Sequence, residues 1–182
     1  RQLFRDDSLP FLNVQLPMWI AAGDEDKHDW ARLRLAQARA ASALQPGGLA
    51  ILLDCGEFDN IHPTDKRTPG ERLCDVALRV VYGMDAPESP RALGKYTQGD
   101  TLVVTLSAPV LRRETGELLL EIAGEDGAYH PVQSVTLAVA EMRLRSVAVL
   151  HPTKVRYAYV NWGKVSLFGR NGLPLAPFAF EG

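Results

Sequence analysis

Several classes of protein are excluded by what this sequence has little of. It has two cysteines, Cys55 and Cys74, which are too few for a disulfide framework and are not spaced as metal ligands. Lysine and arginine total 20 against 22 aspartates and glutamates, so no positive field of the kind that holds nucleic acid is present. No apolar run reaches the roughly 18 residues of a membrane span. We therefore expect neither a nucleic acid nor a membrane as a partner.

The first half of the chain predicts a β-α-β unit. Apolar runs at Phe11 to Leu16 and at Gly48 to Asp54 are typical of buried parallel strands. The segment from His28 to Leu44 is rich in Ala, Leu, Arg and Gln and predicts a helix between them. The residues expected on one buried face of that helix are Trp30, Leu33, Gln37, Ala40 and Leu44.

A second helix is predicted to begin at Thr68. Thr68 and Glu71 have the spacing of a capping box, and Pro69 suits the first helical position. The helix should extend to about Tyr82 and end at Gly83.

The second half of the sequence predicts an all-β region. Short runs of Val, Leu, Thr and Tyr alternate there with turn residues, and Gly124 to Gly127 is typical of a turn between two strands. We expect an α/β region at 1–88 followed by a sandwich-like β domain at 89–182. The predicted strands are Thr101 to Leu106, Leu118 to Ala123, Ser134 to Val139, Arg143 to Leu150 and Val155 to Val160.

The predicted parallel sheet has too few strands. One β-α-β unit supplies two, whereas a parallel sheet needs several strands with helices on both faces. We therefore expect the remaining strands in a preceding stretch of the same protein or in another chain.

The candidate chemistry follows the second predicted strand, because ligands of open α/β sheets bind beyond the carboxyl ends of the strands. Asp59 and His62 stand there at a spacing that lets a carboxylate hold an imidazole in one tautomer, so that the imidazole can deprotonate a serine. The spacing alone is equally typical of a turn-forming aspartate and a loop histidine before Pro63. Glu57 is expected to be a structural or solvated carboxylate of this loop.

A longer string adds a resemblance to a known family. Asp59 to Lys66, followed by Gly70 to Leu73, resembles the sialate O-acetylesterase family of SGNH hydrolases. The similarity continues in the family's order over most of the chain and corresponds to the C-terminal part of such an enzyme. The other similar segments are Pro10 to Leu16, Trp30 to Gln37, Ala123 to Gly127, Val155 to Ala158 and Asn171 to Phe178.

The resemblance implies a fold, an activity and site residues. The fold would be the C-terminal part of an SGNH, flavodoxin-like parallel sheet, and the activity would be hydrolysis of acetyl esters on sugars. It places the general base of a Ser-His-Asp triad at His62 and its orienting carboxylate at Asp59. The family's nucleophile lies in a Gly-Gln-Ser-Asn segment that does not occur here, so it is expected outside this chain.

The same resemblance names partners and a compartment. The expected partners are an acetylated carbohydrate, either sialic acid or another acetylated glycan, and the N-terminal SGNH part that carries the serine. No metal or organic cofactor is expected, and a periplasmic or secreted location is favoured.

The alternative function is that of a noncatalytic carbohydrate-binding or structural module. Tyr157, Tyr159 and Trp162 offer aromatic rings for a sugar, although alternating tyrosines more often pack one face of a sheet.

Overall fold

The structure, a computed structural model, describes residues 1–181 and contains two helices and twelve strands. Most of the strands pair antiparallel. Elements of the first half are β1 (Phe11–Val14), α1 (Asp29–Ala43), β2 (Gly47–Ala50) and α2 (Arg67–Val80). Those of the second half are β3 (Ala92–Gln98), β4 (Thr101–Leu106), β5 (Val110–Arg112), β6 (Leu120–Ala123), β7 (His130–Pro131), β8 (Ser134–Leu137), β9 (Glu141–Arg145), β10 (Lys154–Tyr157), β11 (Leu167–Gly169) and β12 (Phe178–Phe180).

The predicted β-α-β unit is confirmed. β1 and β2 pair in parallel, with Phe11 opposite Gly47 and Val14 opposite Ala50, and α1 connects them. Gly48 lies beneath α2, where a Cβ would meet the side chain of Val76. The sheet that contains β1 and β2 has only these two strands among residues 1–181, so the larger flavodoxin-like parallel sheet is not shown.

The outer edge of β1 is partly occupied by a side chain. Gln37 of α1 donates to the carbonyl of Val14 at 3.1 Å and accepts from the amide of Leu16 at 2.9 Å. Its carboxamide therefore satisfies two strand groups that a third strand would otherwise bond.

The β half consists of two four-stranded antiparallel sheets and a shorter two-stranded pair. The first sheet has the order β3-β4-β9-β8, the second has the order β12-β10-β6-β7, and β11 pairs with β5. Leu102 and Leu144 from the first sheet and Ile122 and Tyr157 from the second are fully buried in one apolar cluster. A sandwich-like β arrangement fits this core.

The apolar cluster also includes residues of the first half. Met18, Ile51 and Leu53 belong to it, although they lie in or beside the loops that follow β1 and β2. These loops are consequently anchored on the β half. The division at 88/89 stays a prediction.

The start of α2 differs from the prediction. The helix begins at Arg67, and the carboxylate of Asp65 accepts from the amides of Arg67 and Thr68 at 3.0 Å each. Glu71 pairs with Arg67 at 2.6 Å instead of reaching back to Thr68. The predicted cap at Thr68 is therefore wrong, because Asp65 already satisfies the first free amides.

The buried face of α1 was also wrongly predicted. Leu33 and Leu44 are 47% and 42% exposed, whereas Ala31, Arg34 and Ala41 are buried. Arg34 is completely buried and donates through Nη2 to the carbonyls of Ala158, at 3.2 Å, and of Val160. The buried face of α1 is thus shifted by one position from the predicted face, and it contains an arginine.

Candidate active site

Two loops meet at the carboxyl ends of the parallel strands. The loop after β1 and the loop after β2 are joined by the amide of Asp59, which donates to the carbonyl of Ile20 at 3.1 Å. The carboxylate of Asp59 in turn accepts from the amide of Ala22 at 2.8 Å. The backbones of the two loops approach closely at Gly56, where a Cβ would overlap the carbonyl oxygen of Met18. The predicted site region is therefore a two-loop structure at the expected end of the strands.

Asp59 and His62 lie in this loop but are not bonded to each other. Asp59 has a φ of 58°, a left-handed conformation that aspartate tolerates better than most residues, and its side chain is exposed. His62 is also exposed, and its amide donates to Oδ1 of Asn60 at 3.0 Å. Within residues 1–181, only Oδ1 of Asp59 accepts a hydrogen bond, and Oδ2 has no partner. One carboxylate oxygen and the imidazole are thus available.

Glu57 stabilises the loop by hydrogen bonds with two other residues of the loop. Its carboxylate accepts from the hydroxyl of Thr64 at 2.6 Å, from the Thr64 amide at 2.7 Å and from Nδ2 of Asn60 at 2.6 Å. The hydrogen bonds from Thr64 and then from Asn60 lower the pKa of Glu57. Because Asn60 also holds the amide of His62, Glu57 closes a chain of contacts around the histidine's backbone. The expected structural role of this carboxylate is consistent with these contacts.

An ion pair fixes the base of the loop to α2. Arg72 donates through Nη1 and Nη2 to the two oxygens of Asp54 at 2.6 and 2.8 Å, and Nη1 also reaches the carbonyl of Ile51 at 2.7 Å. The side chains of Arg72 and Asp54 are 11% and 23% exposed. The fork geometry of arginine suits this bidentate contact, which neutralises Asp54.

The β half holds the loop after β1 through Asn161. Its side chain donates to Asp29 at 2.7 Å and accepts from the amide of Trp30 at 3.0 Å, while its backbone amide donates to Asp26 at 2.7 Å. The side-chain hydrogen bond from Asn161 is the main cause that lowers the pKa of Asp29. The backbone carbonyl of Asn161 accepts from the amide of Trp19 at 2.8 Å. Sequence reasoning missed Asn161, because nothing local marks a residue whose partners lie more than 130 positions away.

Two hollows flank the Asp59 loop, and they differ in charge. One, of about 360 Å³, lies beside Ile20 and is lined by the indoles of Trp19 and Trp30 and by three carboxylates. These carboxylates are Asp24, Glu25 and Asp29, and the one cation of the lining is Lys27. The other hollow, of about 250 Å³, is bordered by Asp54 and Gly56 from the loop after β2. Its remaining lining includes Arg113, Trp162 and Lys164 from the β half.

The aromatic residues of the β half divide between core and site. Tyr157 is fully buried and packs against Phe178, with ring centroids 5.7 Å apart, as expected for a sheet-face residue. Trp162 lies at the site, where the ring of Phe58 meets it edge-on at 5.7 Å. Tyr159 packs against His28 at 5.5 Å. Of the three aromatic residues considered for sugar stacking, Trp162 is the one that lines a hollow beside the loop.

Two absences hold for the described part of the chain. Among residues 1–181, no three His, Cys, Asp or Glu side chains are grouped as a metal ion would require. Neither α1 nor α2 is long and apolar enough to cross a bilayer.

No family model matches this chain, and no curated protein is significantly similar to it. Among solved structures, it is similar to a carbohydrate acetylesterase from Xanthomonas citri, with 33% sequence identity and a TM-score of 0.87. The match covers 97% of this chain and 42% of that chain, so this chain spans less than half of the structure it resembles.

Proposed function

We propose that this chain is part of a carbohydrate O-acetylesterase. The observation that carries the proposal is the 33% identity to a carbohydrate acetylesterase over 97% of the chain. Two loops at the carboxyl ends of the parallel strands bring Asp59 and His62 to the edge where α/β proteins bind ligands. The nucleophilic serine lies outside this chain, in an N-terminal SGNH part that shares the site.

In the proposed reaction, His62 is the general base and Asp59 orients it. The serine hydroxyl attacks the acetyl carbonyl while His62 takes its proton, and His62 then returns the proton to the sugar oxygen as the ester bond breaks. Water, deprotonated by His62, releases acetate from the acetyl-serine and restores the enzyme. For this role the imidazole of His62 has to turn so that its Nδ1 hydrogen bonds Oδ2 of Asp59, while Oδ1 keeps its bond to the amide of Ala22.

The finer part of the proposal concerns the substrate. A sialate 9-O-acetylesterase-like activity follows from the resemblance of the Asp59 to Leu73 region to that family, and acetylated xylan is the neutral substrate against which it should be tested. The loop-side hollows with Trp19, Trp30 and Trp162 support a carbohydrate substrate, because tryptophan rings stack on the apolar faces of sugars.

The test is acetate release by the protein assembled with its serine-bearing part. His62→Ala should abolish release from 9-O-acetylated sialic acid or from acetylated xylan, whichever the unmodified protein hydrolyses. His151→Ala is the matched control, because His151 is exposed and lies in the β half, and it should retain full activity. Unfolding curves of both variants should match that of the parent. Retained activity in folded His62→Ala would remove His62 from the mechanism.

A noncatalytic carbohydrate-binding module is the second candidate. It is favoured by one observation: the carboxylate of Asp59 bonds the amide of Ala22 and, within residues 1–181, not the imidazole of His62. In that case the chain binds acetylated glycan with or without the serine-bearing part, and His62→Ala leaves binding unchanged. Acetate release that depends on His62 excludes this candidate.

A further inference from the structure

The hollow formed by Asp54, Gly56, Arg113, Trp162 and Lys164 has a chemistry that the esterase reaction does not use. We propose that Arg113 and Lys164 in this basic hollow bind the carboxylate of an acidic sugar. The inference rests on the proposed function, because it names the class of sugar that the same site would receive. Its evidence is the charge, geometry and position of the hollow.

The charge of the hollow is positive. Neither Arg113 nor Lys164 has a carboxylate within ion-pair distance among residues 1–181. The lining carboxylate, Asp54, is already neutralised by Arg72. Arg113 and Lys164 therefore line the hollow without a carboxylate partner, and an anionic ligand would complete the pairing.

Arg113 is held in place with part of its donor fork free. Its guanidinium lies over the ring of Phe168, 3.3 Å from the centroid, and Nη2 donates to the carbonyl of Gly172 at 3.3 Å. Nε and Nη1 have no hydrogen-bond partner in the described part of the chain. A planar guanidinium fixed on an aromatic ring loses less side-chain entropy when it binds a carboxylate.

The other features of the hollow suit one sugar ring. Its volume of about 250 Å³ is below the roughly 300–1,000 Å³ of drug-sized ligand pockets. Trp162 forms an aromatic wall, and Phe58 packs edge-on against it. Gly56 lines the hollow three residues before Asp59, so a sugar bound there lies beside the candidate catalytic loop.

The charge of the hollow at Trp19 and Trp30 also favours the basic hollow as the site for an acidic sugar. The hollow at Trp19 and Trp30 carries three carboxylates against one lysine, and this charge repels an anionic sugar. An acidic sugar is therefore directed to the basic hollow, and the neutral part of a glycan is left for the tryptophan pair.

The experiment measures equilibrium binding by calorimetry at low ionic strength, using the full 182-residue chain. The probes are glucuronic acid, N-acetylneuraminic acid and glucose, of which glucose lacks a carboxylate. We expect at least one of the two acids to bind at least tenfold more tightly than glucose. The preferred acid should bind about tenfold more weakly to Arg113→Gln and to Lys164→Gln, which corresponds to about 1.4 kcal/mol. Arg112→Gln is the matched control, because Arg112 is exposed, adjacent in sequence and outside the lining.

The outcomes separate this inference from the proposed function. Binding of glucose as tight as that of both acids, or an equal loss in Arg112→Gln, overturns the basic hollow as a carboxylate site. Preference for glucuronic acid or for N-acetylneuraminic acid identifies which acidic sugar it takes. Because no acetate is released in this assay, its result does not depend on whether His62 proves catalytic.

Discussion

The ion pair between Arg72 and Asp54 provides a quantitative test of how the candidate loop is held. Arg72→Met removes two charged hydrogen bonds to Asp54 and one to the carbonyl of Ile51 while keeping an unbranched apolar side chain. Asp54 keeps its charge on a side chain that is 23% exposed, and its remaining donor is the Cys55 thiol, 3.7 Å from Oδ1. The variant therefore leaves one charged group without its ion-pair partner and one neutral group unsatisfied at the end of β2.

The expected cost follows from the burial of the pair. Breaking a buried ion pair by removing one partner costs roughly 3–5 kcal/mol, because the remaining charge is uncompensated. Asp54 is an exposed residue, so the cost falls below that range, and we expect a loss of about 1–2 kcal/mol in the free energy of unfolding. Removing both partners should cost less, so Arg72→Met combined with Asp54→Asn should recover about half of that loss.

The assay is urea unfolding of the parent, the two single variants and the double variant. With a slope of about 2–3 kcal/mol per molar urea, Arg72→Met should lower the midpoint by about 0.5 M. The same variant should weaken binding of an acidic sugar in the basic hollow, because Asp54 is then an unpaired anion of its lining. Adding Asp54→Asn should restore that binding. A midpoint change below about 0.2 M, or a double variant less stable than Arg72→Met, refutes the reasoning.

Two further predictions concern the same loop. Gly56→Ala should destabilise the chain by about 1–3 kcal/mol, measured as a urea midpoint, because its Cβ would overlap the carbonyl of Met18 and separate the two loops; an unchanged midpoint would show that the loops do not approach so closely. Burial of the thiol, followed by the charge of Asp54, raises the pKa of Cys55 to about 12, so at pH 8 it stays protonated and iodoacetamide should label exposed Cys74 first, as followed by peptide mass spectrometry. Equal labelling of the two cysteines in the folded protein would contradict that shift.

Local patterns predicted the elements better than their contacts. The strand at Thr101–Leu106 and the parallel pairing of β1 with β2 follow directly from β-rich runs separated by a helical segment. The sequence did not predict β3 and β12. β3 (Ala92–Gln98) contains a glycine and a lysine, and β12 (Phe178–Phe180) follows a proline-rich segment, so neither has the composition of a typical strand. Propensity identifies a strand only where the side chains also reveal the burial.

Hydrophobic periodicity did not identify the buried polar residues. Arg34 follows Leu33 in sequence, and the pattern of apolar positions favours Leu33 for the core. The structure instead buries Arg34, because carbonyls of Ala158 and Val160 are available to its guanidinium. Burial lowers the pKa of the Arg34 guanidinium to about 10, and the negative charge of Asp26 opposes that shift. Such a residue is predictable only when the distant segment that satisfies it is known.

The candidate site therefore depends on both halves of the chain. Asn161 holds the loop after β1, Trp162 contacts the Phe58 ring of the loop after β2, and Met18 and Leu53 join the apolar cluster of the β half. A loop supported in this way keeps its geometry only while the β strands are folded. The placement of Asp59 and His62 and the placement of Trp162 then depend on the same supporting contacts, which is consistent with a similarity to the acetylesterase that runs through 97% of the chain rather than through the loop alone.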